Sequence, residues 1–180
     1  LRRAALLHDI GKLAVPTTIL NKPGAPDDHE WSVLRRHPAE GQRIAADLAP
    51  FLGDGAYAIS GHHERWEGGG YPNGVRGEEI PLTARIVAVT DSFETMTALR
   101  SYKRPMTPVE ARAELIRCAG KQFDPDVVRK FLTISLPRLN RTVGILTWLA
   151  QIPFLGTMPR AAAQVVTGGS AIAAASPQLV

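Results

Sequence analysis

The stretch PLTARIVAVTDSFETMTAL, residues 81–99, decides the fold class. Ile86, Val89, Phe93 and Met96 recur at the three- and four-residue spacing of one helical face. Val87, Val89 and Thr90 are β-branched and would also suit a short strand, but the sequence offers that strand no partner. A lone strand leaves its backbone groups unpaired, so 81–99 is predicted to be a helix and the domain all-α. Asp91 stands in this apolar helix, just after Ile86-Val87-Ala88-Val89. Burying an unpaired carboxylate is costly, and a metal ion would explain it.

Helix signals extend outward in both directions. Thr107-Pro108-Val109-Glu110 is an N-cap with proline at the first helical position, and Asp124-Pro125 opens a last helix ending near Leu132. Upstream, Asp27-Asp28-His29-Glu30 has the capping-box pattern ahead of the amphipathic run Trp31-Ser32-Val33-Leu34. His37-Pro38 ends that helix and starts another through Ile44 and Leu48. Gly53-Asp54-Gly55 resets the chain for a helix carrying Tyr57, Ile59, His62 and His63. Residues 65–81, rich in glycine, proline and charge, read as one long ordered loop, and such loops tend to be functional.

A length of 180 residues has room for one ordinary domain. Hydrophobic content of 44% with mean hydropathy −0.06 fits a globular chain. The single cysteine excludes an internal disulfide framework, and Cys118, in the helical stretch 111–119, is expected to be an inert core thiol. The net charge of +4 is partly a tail effect: residues 137–180 hold Arg138, Arg141 and Arg160 and no acid, leaving 18 basic against 17 acidic residues upstream. No nucleic-acid partner is therefore expected. The chain starts at Leu1 without a methionine or a signal-peptide n-region, and 1–7 reads as the end of a helix, so a fragment is expected. The run VGILTWLAQIPFLG, residues 143–156, is apolar but shorter than the roughly 20 residues of a bilayer span and broken by Gln151 and Pro153. A packing or dimerisation helix, an interfacial amphipathic segment and a disordered tail all remain open for it.

The chemistry-bearing residues cluster by type. His62 and His63 are adjacent, and neighbouring helical side chains point roughly 100° apart, so one packing requirement cannot explain both. A metal cluster can use both. His8, His37, His62 and His63 supply neutral nitrogen, while Asp9 and Asp91 supply carboxylate oxygen. Such mixed sets suit iron, manganese or zinc, whereas calcium and magnesium prefer all-oxygen shells. Six ligands from four separated segments exceed what one ion takes, and two ions about 3.5–4 Å apart suit in-line attack on phosphorus. His29, flanked by Asp28 and Glu30, reads as a surface residue, and His37 taken alone could be a helix boundary.

His8-Asp9-Ile10-Gly11-Lys12, Ile19-Leu20-Asn21-Lys22-Pro23-Gly24, Arg36-His37-Pro38, His62-His63-Glu64-Arg65-Trp66, Gly70-Tyr71-Pro72 and Gly77-Glu78-Glu79-Ile80-Pro81-Leu82 together resemble the HD-GYP family, a subgroup of the HD phosphohydrolases. The likeness covers about residues 1–133. It implies an HD-domain helical bundle with a long GYP loop over 1–136, its first helix missing, followed by the apolar and then Ala/Gly-rich tail 137–180. It further implies hydrolysis of cyclic di-GMP to linear pGpG and onward to GMP, with two or three divalent ions, iron or manganese. His8, Asp9, His37, His62, His63 and Asp91 match metal ligands, with Asp9 the bridge. Asp9 and Lys12 match the catalytic pair; Lys12, Arg100 and Lys103 match the grip on substrate phosphates, although a solvated basic helix end would also account for the last two. Trp66 reads as a loop anchor, and Tyr71-Pro72 as shaping the loop or a partner surface.

Glu67 and Glu94 replace aspartates usual in the family, and Ser101 interrupts its Arg-Pro-Tyr. The family draws a further histidine, and in some members a glutamate, from a helix before Leu1. The resemblance also implies a cytoplasmic location, a regulatory domain upstream and a GGDEF-type partner at the GYP loop. The alternatives are a catalytically weak cyclic-dinucleotide sensor or docking domain, and a phosphohydrolase for another nucleotide.

Overall fold

The described chain is built from helices and short 3-10 turns. The computed structural model describes residues 1–98 and 104–134; Arg100, Ser101, Lys103 and the 137–180 tail lie outside the described residues. In chain order the helices are α1 (Arg2–Leu7), α2 (Thr17–Leu20), α3 (Asp28–Leu34), α4 (His37–Ile44), α5 (Ala49–Leu52), α6 (Tyr57–Gly61), α7 (Leu82–Thr97), α8 (Pro108–Cys118) and α9 (Pro125–Leu132). The 3-10 turns are Ile10–Ala14, Ala46–Leu48, Gly53–Ala56 and Gly77–Glu79. Among the described residues the only β-type pairing is an isolated bridge between Ala119 and Phe123. Leu1–Ile134 forms one compact unit.

Local chemistry accounts for the helix starts. Asp27 accepts from the Glu30 N–H at 2.9 Å while the Glu30 carboxylate takes the Asp27 N–H at 2.8 Å, a closed capping box. Thr107 and Glu110 repeat it at α8. Pro38, Pro108 and Pro125 occupy first-turn positions, where no N–H is needed.

Helix α7 is the centre of the unit, packing against α6 on one side and α8 and α9 on the other. Its buried residues are Ala84, Val87, Val89, Ser92, Phe93 and Met96, while Ile86 is only half-buried. The sequence stripe assumed one buried face; packing on two sides puts Val87 in the core and leaves Ile86 at its edge. Phe93 meets Phe131 of α9 at 5.0 Å between ring centroids. On the other side Val87 joins Ala4 of α1 and Ala58 of α6 in a small core of buried residues. Cys118 is buried, as expected of an inert thiol.

Two glycines bring the Ile10–Ala14 turn against α4. A Cβ on Gly11 would lie 1.8 Å from the His37 carbonyl oxygen and 2.5 Å from the Gly41 nitrogen, and one on Gly41 would lie 3.3 Å from the Gly11 nitrogen. Only a bare backbone permits this approach, which sets the segment after Asp9 directly against the start of α4.

Candidate metal centre

The small core fixes the centre. Ala4, Ala58 and Val87 pack together, and one helical turn beyond each stand His8, His62 and Asp91. Side chains four residues apart share a helix face, and here the next three meet as well: His8 Nε2 lies 3.4 Å from Asp91 Oδ1, and the His8 and His62 ring centroids are 5.0 Å apart. His8 caps the end of α1 and His62 the end of α6, each with right-handed helical backbone. His37 begins α4 and arrives through the Gly11–Gly41 approach. The sequence reading placed His62 and His63 within a helix; α6 instead ends at Gly61. His62 keeps helical backbone as the cap, His63 follows in the turn beyond it, and the two ring centroids lie 4.1 Å apart.

Asp9 lies at the middle. Its Oδ1 is 3.3 Å from His37 Nε2 and 3.8 Å from His62 Nε2. Its Oδ2 is 3.4 Å from His8 Nε2 and accepts a hydrogen bond from Lys12 Nζ at 2.7 Å. Asp91 Oδ1 is 3.4 Å from the same His8 nitrogen. Asp9, His37, His62 and His63 each offer a ligand atom, all within 4.8 Å of one another. The structure thus brings together all six residues read as ligands, with Lys12 on the shared carboxylate.

Ring orientation shows what this centre can hold. His8, His37 and His62 donate Nδ1–H to the carbonyls of Ala5 at 2.7 Å, Leu34 at 2.7 Å, and Ala58 and Ile59 at 3.0 and 3.1 Å. A carbonyl only accepts, so Nδ1 carries the proton and Nε2 presents a lone pair to the centre. His37 Nε2 and His62 Nε2 then face each other at 3.4 Å with no proton between them, and buried His8 Nε2 has no hydrogen-bond partner. Converging lone pairs beside carboxylates repel unless a cation lies among them, and outward Nδ1–H bonds are the usual support for metal-binding imidazoles. The residues therefore fit a divalent metal.

Electrostatics agree. Burial, reinforced by the neighbouring His8 and His37, pushes the His62 imidazole down to about 4, and burial with His62 and His37 pushes His63 down to about 2. Burial would raise Asp9, but the neighbouring His37, Lys12 and His8 outweigh it and hold the carboxyl well below the usual range. Burial also lowers His8, yet Asp91 and Asp9 more than reverse it, for a net rise.

The long loop walls one side. Tyr71 stacks on His63 with centroids 4.7 Å apart and planes at 24°. The Arg35 guanidinium lies 5.8 Å from the centroid of the Tyr71 ring. Burial pushes the Tyr71 phenol up. Trp66 anchors the loop: its N–H donates to Gln122 O at 3.1 Å, and Arg85 lies over its ring at 5.7 Å. Glu64 went unread in the sequence. It is 4% exposed and accepts from Asn73 N at 2.7 Å and Gly74 N at 3.2 Å. Nothing local in the sequence shows that this carboxylate binds backbone nine and ten residues ahead.

A family model described as HD domain matches residues 1–127. A cyclic di-GMP phosphodiesterase of Thermotoga maritima is 44% identical over 133 residues, covering 73% of this chain and 36% of the relative. A protein of Vibrio cholerae serotype O1 named 3'3'-cGAMP-specific phosphodiesterase 2 is 41% identical over 133 residues, covering 73% of this chain and 26% of the relative. The chain thus spans about a quarter to a third of the length of these curated relatives. The crystal structure of a cyclic GMP-AMP-specific phosphodiesterase of V. cholerae superimposes with a TM-score of 0.53 at 20% identity, covering 82% of this chain and 41% of that one, a likeness of fold.

Proposed function

The chain belongs to the HD domain family, and from that premise we propose that it is a metal-dependent phosphodiesterase cleaving cyclic di-GMP to linear pGpG and onward to GMP. The observation that carries the reading is the single cluster of four imidazoles and two carboxylates around Asp9, three of its rings turned inward by backbone carbonyls. The relatives named for cyclic dinucleotides support the substrate class.

His8, Asp9, His37, His62, His63 and Asp91 would hold two or three ions, iron or manganese, with Asp9 shared because each of its oxygens faces different imidazoles. Bound ions supply charge neutralisation at phosphorus and an acidified water at neutral pH. Asp9 stays ionised across the physiological range, and Lys12, held on it at 2.7 Å, sets a fixed positive charge at the rim of the centre. Positive charge fixed in advance beside a reacting phosphate lowers the barrier without reorganisation. Arg100 and Lys103, on the strength of the sequence resemblance, are the proposed grip on the two phosphates of the dinucleotide. Intact ligands at all six positions favour turnover over a sensor that only binds.

A second substrate is favoured by a specific observation. Relatives named for 3'3'-cGAMP, at 41% and 43% identity, are about as similar as those named for cyclic di-GMP. Both are cyclic dinucleotides with two phosphodiester bonds, so one centre serves either and base recognition decides between them. The same reading has the domain, residues 1–136, act in the cytoplasm under an upstream regulatory domain, with a GGDEF-type partner at the 65–81 loop. Among the described residues no helix is long and apolar enough to cross a membrane.

The deciding experiment assays the manganese- or iron-loaded full chain on cyclic di-GMP and 3'3'-cGAMP side by side, together with the H8A/D9A variant. Turnover should fall by about 10³-fold or more with helix content retained, since Asp9 faces His8, His37 and His62 at once and His8 also faces Asp91. Turnover surviving in H8A/D9A would refute the assignment.

A further inference from the structure

Four histidines meet at the centre, but only three are anchored in the same way. His8, His37 and His62 each donate Nδ1–H to a backbone carbonyl three or four residues upstream. His63 makes no such bond among the described residues. Among the described residues the one polar contact of its ring is Nε2 to His37 Nε2 at 3.2 Å, and its flat face lies on Tyr71. An imidazole without a hydrogen bond on its outer nitrogen is free to rotate about its side-chain bonds unless something covers its face.

The loop is built to supply that cover. The Tyr71 N–H donates to His63 O at 3.2 Å, so ring and backbone both return to the same residue. Gly70 permits the return: a Cβ there would lie 2.6 Å from His63 O and 2.5 Å from Arg65 N. Immediately beyond Tyr71-Pro72, the Asn73 and Gly74 N–H groups close on the buried Glu64 carboxylate, next in sequence to His63. The dipeptide His63-Glu64 and residues 70–74 thus form one clamp.

We propose that Tyr71 is a positioning residue that fixes the His63 ring in place of the absent carbonyl anchor, and that Glu64 is the latch holding Tyr71 there. The inference rests on reading the cluster as a metal centre. It gives the Gly-Tyr-Pro run a role inside the centre, in addition to any at a partner surface.

Manganese affinity tests it, measured by calorimetry on the chelator-stripped full chain. Y71F keeps the flat ring and should match the parent. Y71L should weaken manganese binding about tenfold, the lower end for losing support behind a ligand. E64A should weaken it similarly, E64Q, which keeps an acceptor oxygen, much less, and Y71L/E64A no more than either single change because both act through one ring. H63A serves as the control. Should Y71L lose helix content, Y71M, with apolar bulk and no ring, takes its place. Parent-like affinity in Y71L, or additive losses in the double variant, would overturn the inference while an affected H63A leaves the metal centre standing. Parent-like affinity in H63A would overturn the metal centre and the inference with it.

Discussion

His62 and His63 are neighbours in sequence with different supports: one is tied to the backbone of its own helix, the other stacked beneath a loop tyrosine. Their kind was legible from sequence, because adjacent imidazoles near other ligand types have few structural uses. Their supports were not, since an Nδ1–H bond depends on where a helix ends, and α6 ends at Gly61, two residues short of His63. Both rings are buried neutral, with pKa values pushed down to about 4 and about 2, while His8 is shifted upward. A histidine lowered in the folded state destabilises the fold as pH falls below its unfolded value near 6.5; a raised one does the reverse. Two lowered against one raised means that the metal-free fold binds fewer protons than the unfolded chain over this range. Its stability should therefore drop by about 2 kcal/mol between pH 7 and pH 5, read as a falling denaturation midpoint. A midpoint that rises over that interval would contradict the buried neutral rings.

Helix α9 shows how an element combines local and distant causes. Asp124 was legible as its cap from Asp-Pro alone, and Oδ1 indeed accepts from Asp126 N at 2.7 Å. The other oxygen takes Arg85 Nη1 of α7 at 2.8 Å, with Asp124 only 5% exposed. Arg85 in turn covers Trp66 at the root of the long loop. That second bond joins residues 39 apart, and no local pattern encodes it. Losing one partner of a buried ion pair strands the other, which costs about 3–5 kcal/mol, with the lost cap adding about 1. D124A should therefore lower stability by several kcal/mol in urea titration, and D124N, which keeps the capping oxygen, by less. Equal losses in the two variants would assign the whole effect to the ion pair with Arg85.

At the scale of the molecule the centre is a cross-link. Its six ligands come from the ends or interior of α1, α4, α6 and α7 and the residues beside them, spanning positions 8 to 91. An ion that binds only the folded chain stabilises it by about 2.7 kcal/mol at a hundredfold excess over its dissociation constant. For a unit of this size that should raise the melting temperature by on the order of 10 °C, reversibly with a chelator. An unchanged melting curve with manganese would separate these ligands from any ion. The helical class, the capped starts of α3, α8 and α9 and the ligand types follow from sequence alone, because caps and periodicity act within a few residues. Only the tertiary structure decided that Ala4, Ala58 and Val87 pack together, and so that His8, His62 and Asp91 meet one turn beyond them. It also decided that Glu64 closes on residues 73 and 74, placing Tyr71 on His63. Those contacts depend on which helix faces are buried against each other, a property of the whole packed core that no single segment carries.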